Sequence, residues 1–290
     1  MQLAVNVLVL AAIYALISCG YVLIYRVSRV LSLAHGELMM LGAYGLYMTA
    51  SLFSGEPVIA VLVSVALAFT IGLAVYAALM RHMTGEAVLT AVLATIALGI
   101  FVRGFVVLVW TAQEQHPARL LGIENTSFPV PGDARISLVG ILLLAVTAAV
   151  YLGLYVFLRY TAWGIRMRAT GQNPLLAAQR GIRLHGVYAL AWGLATLTGG
   201  LAGMLISIDT ALEQTLVLIG LKAFPAALVG GLDSLAGALL GSLIIATAEV
   251  LLIYYVNPLL ADAVPFLVLT AMLMVRPWGL LGTREELDRV

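Results

Sequence analysis

Charge is scarce in this 290-residue chain. Only 10% of its residues are Asp, Glu, Lys or Arg, where a soluble domain carries about 25%. That excludes an ordinary solvated surface. Lys222 is the sole lysine, so no Gly-x-x-x-x-Gly-Lys-Ser/Thr phosphate loop exists and the chain itself is not expected to bind ATP. The one cysteine, Cys19, lies in an apolar run, which rules out an internal disulfide framework. His35, His82, His116 and His185 are dispersed, so metal-ligand spacing is missing and no metal is expected. No Ser/His/Asp or paired-carboxylate grouping has usable context, and no catalytic residue is assigned. No basic patch interleaved with aromatics points to nucleic acid.

Apolar sequence fills the space that charge leaves: 63% of residues are hydrophobic. A spanning helix needs about 20 mostly apolar residues. Runs of that kind lie at roughly 3–25, 37–54, 58–80, 87–110, 136–158, 187–208, 216–231, 235–256 and 263–275. The seventh is short and ends in Gly230-Gly231, which reads as a half-helix or re-entrant segment. The expected fold class is therefore all-α, a polytopic transmembrane helical bundle of 8–9 membrane segments, with residues 1–290 as a single transmembrane domain. The first run has no basic segment before it and no good small-residue cleavage site, so it reads as a retained helix.

Cytoplasmic loops are enriched in Lys and Arg. Taking alternate connections, one side collects Arg26, Arg29, Arg81, Arg159, Arg166, Arg168, Arg180, Arg183, Arg276, Arg284 and Arg289. The other has only Arg119 and Arg135, with several acids. This places the N-terminus outside and the C-terminus in the cytoplasm, given an odd number of crossings or an inward-moving seventh segment. Two long loops follow: 110–135 outside, a candidate cap over the bundle, and 159–186 inside.

The inside loop contains a short helix with both ends specified, about 173–181. Asn173 is a good N-cap, Pro174 suits the first helical position, and Arg180 meets the negative helix end. Gly181 can adopt the left-handed conformation that stops a helix. Two turns are too few to be stable alone. Leu175, Leu176 and Ala178 make the segment apolar enough to dock on a soluble partner, or to lie on the lipid surface.

Gly164-Ile165-Arg166-Met167-Arg168-Ala169 running into Asn173-Pro174 and Gly181-Ile182 resembles the ATPase-contacting loop of branched-chain amino acid permeases of bacterial ABC importers. Ala34-His35-Gly36-Glu37-Leu38, Val229-Gly230-Gly231-Leu232-Asp233-Ser234 with Gly237 and Gly241, and Arg276-Pro277-Trp278-Gly279 resemble further blocks of that family. With Tyr14-Ala15-Leu16-Ile17 and Gly20-Tyr21 before them and Leu280-Leu281-Gly282 closing the last, the blocks fall in order from residue 14 to residue 282. Ser32-Leu33 and Asp233 depart from the family pattern, and relatives carry urea, short amides or aromatic acids. The resemblance implies a multi-pass permease of the bacterial inner membrane, the shorter of two permease types that pair as a heterodimer. It implies partners: a second related permease subunit, two ATPase subunits that hold ATP and Mg, and an external substrate-binding protein. Membrane lipid is the surrounding solvent. Arg166, Arg168, Asn173, Pro174, Leu175, Leu176, Ala178, Arg180 and Gly181 would then carry coupling to the ATPases.

Ionisable groups inside a bilayer are costly and usually face a pathway or a partner. Here they are His35, Glu37, Arg103, Lys222, Asp233 and Glu249. Arg103 can meet a substrate carboxylate or snorkel outward. Glu249 needs a buried donor, and Lys222 is a candidate. His35 and Glu37 open the second run, either as a helix-start device or as pore lining. Gly230 and Gly231 break a run near the midplane, where transporters place binding sites. His35, Glu37, Arg103, Gly230, Gly231 and Glu249 form the candidate substrate pathway. Small residues four apart, as at Gly237 and Gly241, permit close helix packing. The glycine-started blocks 36–45 and 231–241 look faintly alike, which allows an inverted repeat. The competing readings are an ion- or proton-coupled secondary carrier using Glu249 and Arg103, and a membrane-embedded enzyme or assembly subunit.

Overall fold

The computed structural model describes residues 1–131 and 133–283; Arg284 and Arg289 of the basic side lie outside them. The described residues form an all-α bundle with one small hairpin. In order they give α1 (Gln2–Ser28), α2 (His35–Leu52), α3 (Pro57–Ala78), α4 (Val88–Trp110) and α5 (Pro117–Leu121). Strands β1 (Ser127–Val130) and β2 (Ala134–Ser137) pair antiparallel, Ser127 opposite Ser137. Then follow α6 (Leu138–Tyr160), α7 (Ala162–Gln172), α8 (Pro174–Gln179), α9 (Leu184–Asp209), α10 (Leu216–Gly230), α11 (Leu235–Tyr255) and α12 (Val264–Val275).

The helix starts follow from local chemistry. Pro57, Pro117, Pro174 and Pro265 occupy first-turn positions, where a missing N–H costs nothing. Ser137, Thr161, Asn173 and Ser234 accept hydrogen bonds from free first-turn N–H groups of α6, α7, α8 and α11.

α1 and α9 form the centre. In the most apolar 18-residue stretch of each helix, 72% of α1 and 67% of α9 is buried, against 22% for α3, α4 and α6. The latter three present leucine, valine, isoleucine and phenylalanine outward, as helices bathed in hydrocarbon do. α1 packs mainly on α11 and α9, α2 and α3 pack on α9, and α10 packs on α11. From α6, the Thr147 hydroxyl donates to the Ala12 carbonyl and the Tyr151 hydroxyl to the Ala15 carbonyl.

Six helices among the described residues are long and apolar enough to cross a membrane: α1, α3, α4, α6, α9 and α11. The expected eight or nine segments are not matched by full-length spans. α10 and α12 have 15 and 12 residues, about 22 and 18 Å at 1.5 Å per residue, short of about 30 Å of hydrocarbon. α2 has 18 residues but carries His35 and Glu37. It also starts deep in the bundle. The His35 ring sits where a side chain on Gly20 or Gly199 would be, and Gly20 lies about 12 Å back along α1 from its end at Ser28. The 29–34 connection therefore climbs back between helices, aided by left-handed Arg29 (φ 55°).

Candidate solute pathway and docking loop

A chain of charges descends into the bundle where α1, α10 and α11 meet. The Lys222 ammonium donates to Glu249 Oε1 at 2.9 Å and contacts Asp262 Oδ1 at 2.6 Å. The Tyr14 hydroxyl donates to the other Glu249 oxygen, Oε2, at 2.6 Å. Side-chain exposure falls from 81% at Asp262 through 16% at Lys222 to 4% at Glu249, and Tyr14 is buried. One helical turn past Tyr14, Ser18 hydrogen-bonds Ser242 at 3.0 Å across the same α1–α11 seam. The expected Lys222–Glu249 pair is thus present. Tyr14 and Asp262 were not anticipated. A buried tyrosine hydroxyl needs a partner, and that was the available signal for Tyr14.

The first turn of α2 carries a second charged pair. Arg103 of α4 donates through Nε and Nη2 to Glu37 Oε1, at 2.9 and 2.6 Å. Glu37 is buried while Arg103 is about half exposed, at 53%. Gly99 faces the Glu37 carboxylate, so the absence of a side chain there makes room for it. His35 is fully buried, and its ring nitrogens make no hydrogen bond of good geometry. Its ring meets Tyr21 edge-on at 4.6 Å, and the Tyr21 hydroxyl donates to the Gly220 carbonyl of α10. Gly36 and Gly220 touch backbone to backbone. His35, Glu37 and Arg103 therefore converge at the α2 start, while Glu249 belongs to the neighbouring α1–α10–α11 cluster.

Gly230 and Gly231 end α10 in different surroundings. The Leu280 and Leu281 N–H groups donate to the Val229 and Gly230 carbonyls, at 2.9 and 3.0 Å. Asp233 accepts from the Thr283 N–H at 3.0 Å and from its hydroxyl. Gly231 takes φ 109° and lies against the Gly282 backbone, a conformation that favours glycine. The contacts of both glycines are thus with the returning 280–282 strand of backbone and with α11. Gly237 and Gly241 of α11 press on α10 at Gly230 and Ala226, as their spacing led one to expect.

The two ends of the bundle are chemically distinct. At one, Gln115 bridges Leu212, Asn125 hydrogen-bonds Asp209, and Gln2 bonds the Arg135 backbone. These ties fasten α5 and the hairpin of the 110–135 stretch over the helix ends. At the other end sit Arg26, Arg29 and the 159–186 stretch, where Gly171 packs on the Arg26 carbonyl.

That second stretch holds α7 and α8. Asn173 Oδ1 accepts from the Leu176 N–H at 3.0 Å, and Gly181 takes φ 82°, so the expected start and stop are both formed. The helix itself is Pro174–Gln179, with Asn173 and Arg180–Gly181 as its caps. Ala177 is buried, while Leu175, Leu176, Ala178 and Arg180 are exposed. Arg166 and Arg168 are exposed on α7, with the Arg166 guanidinium 5.1 Å above the Trp163 ring. α7 itself was not anticipated. The 159–186 stretch reads as polar and arginine-rich, and its periodic contact, Gly164, Met167 and Thr170 against the bundle, is one narrow row of which only Met167 is a large apolar residue.

Comparison with known proteins gives one consistent answer. The profile of the family described as branched-chain amino acid transport system / permease component matches residues 3–273. The chain is 29% identical to the high-affinity branched-chain amino acid transport system permease protein LivH of Escherichia coli (strain K12), covering 100% of this chain and 97% of that protein. It is 28% identical to the corresponding permease protein BraD of Pseudomonas aeruginosa, over 100% of this chain and 98% of that one. It is also 28% identical to a probable LivH permease of Methanocaldococcus jannaschii, over 92% and 88%.

Proposed function

The chain belongs to the branched-chain amino acid transport permease family, and from that premise we propose that it is the membrane-spanning subunit of an ATP-driven ABC importer for small amino acids, branched-chain ones foremost. It pairs with a second, related permease subunit. Two ATPase subunits, which bind ATP and Mg, dock on the arginine-rich end, and an external binding protein delivers solute to the other. The protein lies in the bacterial inner membrane with its N-terminus outside and its C-terminus in the cytoplasm. The arginine asymmetry between the two ends supports that orientation. α2 and α10 are both short, begin next to each other and run from opposite ends; this supports an inverted arrangement of the two halves.

The observation that carries the reading is α8. A two-turn helix, capped at both ends and anchored only by Ala177, presents Leu175 and Leu176 to its surroundings. Exposed leucines beside Arg166, Arg168 and Arg180 form a surface for a soluble partner. Closure of the ATPases would move α8, and with it α7, whose end packs on α1. α1 in turn holds Tyr14 against Glu249, so the motion reaches the polar centre where His35, Glu37, Arg103 and Glu249 line the route for solute.

The pair of part-buried Lys222 with buried Glu249 favours a second reading, an ion-coupled carrier, since charges inside membranes also serve coupling. Affinity purification in mild detergent separates the two. The importer reading expects a stoichiometric pair of ATPase subunits and crosslinks from cysteines placed at Leu176 or Ala178. Purification of the chain alone, or labelling of these sites from outside intact cells, overturns it.

A further inference from the structure

The sole lysine lies at the base of an open pocket at the end of the bundle opposite the arginine-rich loops. Lys222, Asp262, Glu213 and Glu114 contribute its charged lining, with Leu216 and Ile219 on its apolar side. An ammonium has three N–H groups. Two are engaged by Glu249 and Asp262. The two carboxylates differ sharply: Glu249 is 4% exposed and also held by Tyr14, while Asp262 is 81% exposed. An exposed ion pair is weakly held, because water competes for both partners. Glu213 accepts from the Thr215 hydroxyl, which fixes it on the rim.

We propose that this pocket is a head-group site for an α-amino acid zwitterion within the permease itself. The solute inserts between Lys222 and Asp262. Its carboxylate takes the Lys222 proton now given to Asp262, and its ammonium takes the Asp262 carboxylate, with Glu213 close by. The Lys222–Asp262 pair holds the place of the zwitterion in the empty protein, so insertion exchanges one ion pair for two and leaves neither Lys222 nor Asp262 without a partner. Glu249 and Tyr14 remain on the far side of Lys222 and hold its ammonium at the floor. The branched side chain lies on Leu216 and Ile219. Three lining carboxylates, Asp262, Glu213 and Glu114, against one lysine leave the pocket formally negative, which favours the ammonium end outermost and disfavours acids that lack an amine. The site rests on the importer reading. It adds a chemical filter that acts after the external binding protein has let go.

The test uses the purified permease–ATPase complex in nanodiscs without the external binding protein, with radiolabelled leucine as probe in equilibrium dialysis. Saturable leucine binding is expected. Leucinamide, which lacks the carboxylate, and 4-methyl-2-oxopentanoate, which lacks the ammonium, should each compete at least tenfold less well. Asp262→Asn, an exposed change that leaves the fold intact, should weaken leucine at least fivefold at equal amounts of assembled complex. Lys222→Gln should abolish binding, and Lys222→Arg should restore part of it. Wild-type leucine affinity in both Asp262→Asn and Lys222→Gln, equal competition by both analogues, or no leucine binding at all overturns the site. ATPase content of the same samples is scored separately: an intact complex with unaffected binding rejects only this pocket, whereas absence of the ATPases rejects the importer reading.

Discussion

Glu249 is the residue whose loss costs the most. Its carboxylate lies in the middle of an apolar helix and is stabilised from two sides, by Lys222 of α10 and Tyr14 of α1. Removing it leaves Lys222 with only the exposed Asp262 and leaves the buried Tyr14 hydroxyl without its acceptor, an unsatisfied group that costs about 1–3 kcal/mol. Glu249→Ala is therefore expected to lower solute uptake at least tenfold or to uncouple it from ATP hydrolysis. Glu56→Ala, in an exposed connection with no cap bond to lose, should change neither. Uptake per assembled complex is the quantity to compare, because the loss also weakens folding. Tyr14→Phe removes one hydrogen bond to a charged acceptor, worth about 1.5–3 kcal/mol, and should give an intermediate defect. Wild-type uptake by Glu249→Ala at normal assembly would make the carboxylate a bystander.

At the scale of elements, glycine decides which helices approach. Side chains on Gly237 or Gly241 would collide with the backbone of α10. Gly237→Leu and Gly241→Leu should thus separate the helices and cut the yield of folded protein several-fold, read by size-exclusion of detergent extracts. Gly153 on α6 has open space around it. Gly153→Ala should be neutral or stabilising by up to about 1 kcal/mol, since alanine is the better helix former. Equal behaviour of the two sites would contradict packing as the cause. The docking helix offers a gentler test. Asn173→Ala deletes the cap on Leu176, which costs about 1 kcal/mol. Retention of the ATPases during washing should fall several-fold while the permease itself stays folded, as judged by its melting temperature.

For the whole molecule, the sequence discloses the centre of each helix better than its ends or its neighbours. Apolar runs mark where α1, α3, α4, α6, α9 and α11 lie, because lipid leaves no other solution for so many hydrophobic residues. Asn173, Pro174 and Gly181 mark α8, since capping is a matter of adjacent residues. The shortness of α10 is legible in its run, which ends at Gly230-Gly231; the deep start of α2 is hidden, because it arises from a connection that re-enters the bundle. The Tyr14–Glu249 bond joins residues 235 positions apart, and nothing local in either stretch announces it. Gly230 and Gly231 suggest a break in a helix, and a break there is found. The partner that fills it, the 280–282 backbone, is a tertiary fact.

The central claim is that this chain moves solute only when ATPases work on its arginine-rich end. Reconstitution in proteoliposomes tests it most directly, with the assembled complex, the external binding protein and radiolabelled leucine. Uptake should require ATP inside with the binding protein outside, persist when ion and proton gradients are collapsed, and vanish when the permease chain is reconstituted without the ATPases. Leucine uptake by the permease chain alone, driven by an ion or proton gradient and indifferent to ATP, would contradict the account.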